Sequence, residues 1–184
     1  FLGRLDANKS PDVLLRASRE VLSRFSETKI VFGGDGEIEK NKALAEELGI
    51  ADRCEFCGWV TGGEREALFE RAAVYCLPSK NEGMPMSVLE AMSHGIPTIA
   101  TAVGGVPRLI ESGTNGFLIK VDDVNNLAHL IDKLLFDSEL RKEIGDAGRK
   151  VVADRFNSKH SIEQILNLYK ETDSCIQYGS RDDE

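Results

Sequence analysis

Short apolar runs alternate with segments of helical period from one end of the chain to the other. The runs are Phe1-Leu2, Ile30-Val31-Phe32, Cys54-Glu55-Phe56, Val74-Tyr75-Cys76-Leu77, Thr98-Ile99-Ala100 and Phe117-Leu118-Ile119. Each is bounded by Gly, Pro or polar residues, the pattern of a buried strand. Helical patterns fall between them at about 11–25, 38–49, 62–73, 85–94 and 106–112. The first carries Leu14, Ala17, Val21 and Phe25 on one stripe, after Pro11 at a plausible first helical position. Thr61 with Glu64 predicts a capping box, and Asp122 or Asp123 can cap a helix carrying Leu127, Leu130, Ile131, Leu134 and Leu135. Residues 137–171 read as two more helices, and 172–184, without periodicity, as a frayed tail. Strict alternation predicts one α/β domain over residues 1–171: a doubly wound, Rossmann-like parallel sheet of about six strands with helices on both faces. Right-handed crossovers then gather the loop after every strand on one side, the carboxyl edge.

The 184 residues include 31 acids and 23 bases, a net charge of −8, so the chain lacks the basic field of a nucleic-acid binder. Any anionic ligand must be held by local donors. No apolar run approaches the roughly 18 to 20 residues that span a bilayer, and no signal-peptide pattern is present, so the chain reads as soluble and cytoplasmic. The opening FLGRLD, without Met, reads as the interior of a longer protein. Cys54, Cys57, Cys76 and Cys175 are too few and scattered for a disulfide framework. Cys54-Glu-Phe-Cys57 has no second pair to complete a zinc site and reads as buried thiols. His94 before Gly95 suits a helix end, His129 and His160 lie on helix surfaces, and Met84, Met86 and Met92 read as packing. Trp59 either stacks on a base or covers the sheet edge.

Ligands of such folds bind beyond the carboxyl ends of the strands, and the unusual residues collect in those loops. After the first run comes Gly3-Arg4-Leu5-Asp6-Ala7-Asn8-Lys9, where two cations five residues apart can bracket a diphosphate. After the second comes Gly33-Gly34-Asp35-Gly36, and after the fifth Ala102-Val103-Gly104-Gly105-Val106-Pro107. The fourth loop is the richest: Pro78-Ser79-Lys80-Asn81-Glu82-Gly83-Met84-Pro85-Met86-Ser87-Val88-Leu89-Glu90. A helix beginning near Pro85 leaves the first amides without acceptors, which favours phosphate. Glu82 lies just before it and Glu90 two turns in, so one carboxylate can reach each end of an extended ligand, and such a carboxylate suits a vicinal diol. Their separation is too great for a carboxylate pair acting on one bond.

The run Glu82-Gly83-Met84-Pro85-Met86-Ser87-Val88-Leu89-Glu90-Ala91-Met92 resembles the glutamate–seven–glutamate motif of retaining GT-B glycosyltransferases of the group 1 (family 4) type. Gly34-Asp35-Gly36, Gly58-Trp59-Val60, Pro78-Ser79, His94-Gly95-Ile96-Pro97, Gly104-Gly105 and Asn115-Gly116-Phe117 also have counterparts, in the family's order, from Gly3 to about Phe156. The resemblance implies the C-terminal, donor-binding half of a two-domain enzyme that transfers a hexosyl group with retention. It implies that Arg4 and Lys9 bind the donor diphosphate, and that Gly83, Met84, Pro85 and Met86 offer backbone amides to phosphate or sugar. Glu90 would accept the ribose hydroxyls, Glu82 would contact the transferred sugar, and the stretch around Val60 would border the base. No metal and no cofactor is implied beyond the nucleotide-diphosphate sugar itself, a substrate.

The sugar, glycan or lipid-linked acceptor, and any peripheral membrane contact, would belong to the N-terminal half, so this chain alone is expected not to catalyse transfer. Ser10 stands where the family usually has Gly, predicting a less permissive loop, and Arg108 where an acid is common. A non-catalytic nucleotide-sugar-binding or scaffold protein of the same fold is the second reading. A dinucleotide-dependent oxidoreductase is a poor third, because GRLDANKS stands where a G-x-G-x-x-G is required. Base, sugar and acceptor are not specified by the sequence.

Overall fold

A computed structural model describes residues 1–156 of the chain. The expected helix at about 158–171, the tail at 172–184, His160 and Cys175 lie outside the described residues. Elements alternate as the apolar runs require: α1 (Pro11–Arg24), β1 (Ile30–Gly33), α2 (Ile38–Glu47), β2 (Cys54–Gly58), α3 (Gly62–Glu70), β3 (Tyr75–Leu77), α4 (Met86–Ser93), β4 (Thr98–Thr101), α5 (Val106–Leu109), β5 (Phe117–Ile119), α6 (Val124–Phe136) and α7 (Ser138–Arg155). All strand pairs are parallel. β1 pairs with β2, matching Ile30 to Cys54 and Phe32 to Phe56, whose rings stack at 4.9 Å. β4 lies between β3 and β5, with Cys76 opposite Ile99 and Ile99 opposite Phe117.

The period of two along each strand divides the apolar side chains between two faces. Cys76, Ile99, Phe117 and Ile119 join α1 and α6 in one core. Tyr75, Leu77 and Ala100 join α4 and α5 in the other, with Met92 and Leu109. On α1, Leu14, Ala17 and Val21 are buried as the stripe predicts, and Pro11 is the first helical residue.

Among the described residues five strands form instead of about six. The Phe1-Leu2 run makes a single parallel bridge, Leu2 to Gly33, flanked by the Phe1 amino group donating to the Val31 carbonyl at 3.0 Å. On its other side the run meets β3 through a side chain: the Tyr75 hydroxyl donates to the Leu2 carbonyl at 3.1 Å. The sheet is therefore two ladders, β1–β2 and β3–β4–β5, with no backbone ladder between β1 and β3 among the described residues. A cavity of about 410 Å³ fills the amino-edge half of this seam, lined by Phe1, Leu14, Val31, Leu68, Tyr75 and Cys76.

Two local expectations change, and one left open is resolved. The Thr61–Glu64 capping box does not form: Thr61 makes no side-chain cap bond, and only its carbonyl accepts, from the Glu64 amide at 3.2 Å. Two glycines follow Thr61, the first at φ 51, and they open the turn where a regular cap needs helical geometry. Asp123, not Asp122, caps α6, accepting from the Asn126 amide at 3.2 Å. The third and fifth helices are shorter than expected, ending at Glu70 and Leu109.

Candidate functional site

The loops that leave β3 and β4 and the loop between Gly3 and α1 meet at the carboxyl edge. Asp6 organises the last of these. Its side-chain oxygen accepts from the amides of Asn8 at 3.0 Å and Lys9 at 2.9 Å, a turn in which a short acid captures the backbone after it. Asn8 then stitches the loop to the β3–α4 loop: its carbonyl accepts from the Lys80 amide at 2.7 Å, and its side-chain amide donates to the Asn81 carbonyl at 3.1 Å. Ser10 completes the loop at φ 50, ψ 53, a left-handed conformation in which Gly is at ease. Its buried hydroxyl donates to the Ala7 carbonyl at 3.2 Å and compensates part of that strain. The less permissive loop expected from Ser10 is this one.

These contacts bring Lys9 to Glu82. The ammonium lies 2.6 Å from Oε1, and the Glu82 side chain is only 6% exposed. A nearly buried carboxylate left without its cation would cost several kcal/mol, so the pair holds both groups in register. The ammonium has three donors and Glu82 uses one, leaving Lys9 able to grip a second acceptor.

The Glu82–Gly83 backbone is clamped from the other side. The Gly105 amide donates to the Gly83 carbonyl at 2.8 Å. Gly104, at φ 53, approaches so closely that a Cβ there would lie 1.6 Å from the Glu82 carbonyl oxygen. The Gly-rich turn after β4 is thus needed for packing against this loop as well as for its own bend. Gly83 itself has no heavy atom within 4 Å of where a Cβ would stand, so nothing in the fold requires a glycine there.

Pro85 caps α4 from outside the helix with extended backbone, and its carbonyl accepts from Val88 at 3.1 Å. It is buried and has no N–H, so it sets the helix start and cannot be one of the amide donors expected at 83–86. The amides at the start of α4, Met86 and Ser87, have no preceding turn to accept their protons. Met84 and Met86 are exposed at 43% and 62%, against their reading as packing residues, whereas Met92 is buried. The two exposed thioethers flank the loop and present a soft apolar rim.

In the second turn of α4, Glu90 receives both Nε (3.1 Å) and a terminal nitrogen of Arg65 on its Oε2. Arg65 lies in the first turns of α3, with its guanidinium 5.9 Å from the Phe69 ring centre. Val60 follows β2 and is half-buried against Gly33, whose Cβ would meet its Cγ2 at 3.0 Å. Trp59 beside it is 72% exposed and does not cover the sheet edge. Arg4 and Arg108 are exposed and pair with no carboxylate among the described residues. His94 ends α4, stacks on Phe69 at 5.0 Å and places Nε2 3.4 Å from Glu66, a structural use. Burial pushes the Cys54 thiol up to about 11 and the Cys76 thiol up to about 12, so neither is a ready nucleophile.

The structure brings Lys9, Glu82, Gly83 and the start of α4 together, with Glu90 farther along the same helix. The sequence had not singled out Asp6, Asn8 or Arg65. The D-x-N-K spacing was a visible turn signal for the first two. No local pattern pairs Arg65 with a residue 25 positions later.

The model of the family described as glycosyl transferases group 1 matches residues 1–151. A D-inositol 3-phosphate glycosyltransferase of Corynebacterium jeikeium is 32% identical over 189 aligned residues, covering 98% of this chain and 45% of that protein. The chain thus spans less than half the length of this curated relative. The fold is similar to that of Anabaena HepE, solved in complex with UDP, with a TM-score of 0.85 over 92% of this chain and 47% of that one at 22% identity. It is also similar to the separately solved C-terminal domain of LpcC, a group 1 family protein of Francisella tularensis, at TM-score 0.78 and 23% identity over 86% of this chain and 84% of that domain. A carboxyl-edge site of this build, on a chain matched by that family model over most of its length, leads to one assignment: the chain belongs to the group 1 glycosyl transferases, in the α/β fold of their donor-binding domain.

Proposed function

We propose that this chain binds the nucleotide-diphosphate sugar of a retaining hexosyl transfer, and that transfer itself requires the acceptor-binding half present in its longer relatives. The observation that carries this reading is the meeting of Lys9, Glu82 and the N-terminus of α4 at one point, 2.6 Å separating the ammonium from the carboxylate. Charge complementarity supports the rest. When the bond between the anomeric carbon and the diphosphate breaks, its electron pair leaves on phosphate. Lys9, Arg4 and the free amides of Gly83, Met84, Met86 and Ser87 offer fixed positive charge where that pair arrives. They supply what a divalent cation supplies elsewhere, and the reaction proposed here needs no bound metal.

Glu82, held by Lys9, faces the transferred sugar, and Glu90 accepts from the ribose diol. The backbone at Val60 borders the base. HepE, of similar fold, has been solved with UDP and with UDP-glucose, which supports a donor of that class.

Calorimetric titration with UDP, GDP, ADP and their hexose conjugates tests the reading. The expected Kd is ~0.1–1 mM for one nucleotide, about 4 to 5.5 kcal/mol, since the acceptor half adds no contacts. Lys9→Ala and Glu90→Ala are each expected to weaken it at least tenfold, and chelation of divalent metal to leave it unchanged. Unchanged affinity in both variants overturns the site. Loss of binding on chelation, restored by Mg²⁺, overturns the metal-free mechanism. A full-length protein that ignores every nucleotide sugar supports the scaffold reading instead.

A further inference from the structure

The pair formed by Arg65 and Glu90 is unusual among the ion pairs of this chain in its geometry and its place. Both contacts from the guanidinium go to a single oxygen, Oε2, while Oε1 has no protein donor among the described residues. The guanidinium is also fixed from below, 5.9 Å from the ring centre of Phe69, which is buried and stacked on His94. The partners come from opposite sides of the seam in the sheet. α3 follows the β1–β2 ladder and the Val60 loop, whereas α4 follows β3 and carries the Glu82 loop. The side chains are about one-third exposed, 34% and 38%, so a ligand can reach them and the pair contributes little to stability.

A carboxylate that accepts from a ribose hydroxyl works best with its plane fixed and an oxygen turned outward. Left alone on a helix surface, a glutamate spreads over many rotamers, and immobilising it on binding costs conformational entropy. Arg65 removes that cost in advance. From this geometry we propose that Arg65 is the positioning residue for Glu90: it takes Oε2, presents Oε1 to the ribose, and so sets the preference for ribonucleotides over 2′-deoxyribonucleotides. The proposal rests on the donor-binding reading above, in which Glu90 meets the ribose.

The test compares whichever of UDP, GDP and ADP binds best with its 2′-deoxy counterpart, by calorimetry, on the wild type, Arg65→Ala, Arg65→Lys and Glu90→Gln. The wild type is expected to prefer the ribonucleotide by roughly 10-fold or more, the worth of one hydrogen bond to a charged group. Arg65→Ala is expected to bring the ratio within about threefold by weakening the ribonucleotide alone, and Arg65→Lys, which restores one donor, to recover part of it. A purely structural role would weaken both nucleotides equally, and that outcome overturns the proposal. A wild-type preference that survives intact in Arg65→Ala overturns it too. Two results reach further. A wild type that binds both nucleotides alike removes Glu90 from the ribose, and one that binds neither removes the donor-binding reading, the proposal falling in each case.

Discussion

Replacing Gly104 by alanine puts two separate demands on the clamp behind Glu82. The backbone at φ 53 costs an L-residue about 1 kcal/mol. The new Cβ would also lie 1.6 Å from the Glu82 carbonyl oxygen, where contacts below 3.0 Å are not tolerated, so the loop must retreat by roughly 1.4 Å. Overpacking of this kind costs about 1–3 kcal/mol, bringing the total to ~2–4 kcal/mol. For a chain of this length that lowers Tm by roughly 4–16 °C. Gly113→Ala is the control: its φ is 86, but no heavy atom lies within 4 Å of the added Cβ. It incurs only the backbone cost, roughly 2–4 °C. Scanning calorimetry separates the two. The displaced loop carries Glu82 and Gly83, so transfer by the full-length enzyme is expected to fall by about 100-fold in Gly104→Ala and to be unaffected in Gly113→Ala. Equal melting temperatures and equal nucleotide affinity in the two variants would refute the interlocking of the loops.

Gly83→Ala inverts this signature. With open space around the added methyl and a φ outside the left-handed range, its Tm is expected to hold or rise slightly, while nucleotide affinity falls because the methyl obstructs approach to the backbone amides; undiminished affinity would remove that backbone from the binding surface. Alkaline pH is expected to destabilise the fold in part through Cys54. Burial raises its folded-state pKa to about 11 from an ordinary 9.0, so the unfolded chain ionises first and the thiol's stability contribution, complete below pH 9, is lost as pH rises toward 11. Urea melts should therefore show the wild type's stability advantage over Cys54→Ala shrinking between about pH 8 and pH 10.5, and a constant difference would refute the shift.

Much of this was legible because the relevant signals are local. The short bounded apolar runs locate the five strands of the described residues, and Leu14, Ala17 and Val21 announce the buried face of α1. Lys9, Glu82 and Glu90 stand out because topology sends their loops to one edge before any contact is known. What escaped is tertiary. The double contact of Arg65 with Glu90 depends on how α3 and α4 lean together. The methionines at 84 and 86 look like core residues by type, yet the Pro85 start of α4 turns them outward. The Thr61 cap failed because the capping pattern rests on positions 61 and 64 alone, while Gly62 between them takes φ 51 and changes the turn's shape.

The candidate cleft draws its rim from two separate stretches of the chain. Val60 and Arg65 hang from the two-stranded block, and Glu82, Gly83 and Glu90 from the three-stranded block. Arg65 to Glu90 is a direct side-chain link between the two. A nucleotide that touches base loop, ribose carboxylate and diphosphate site together acts as a cross-brace over this joint. Its binding energy is then shared between holding the ligand and stiffening the sheet, and amide exchange along β1 and β3, far from the ligand, should slow when the cleft is filled.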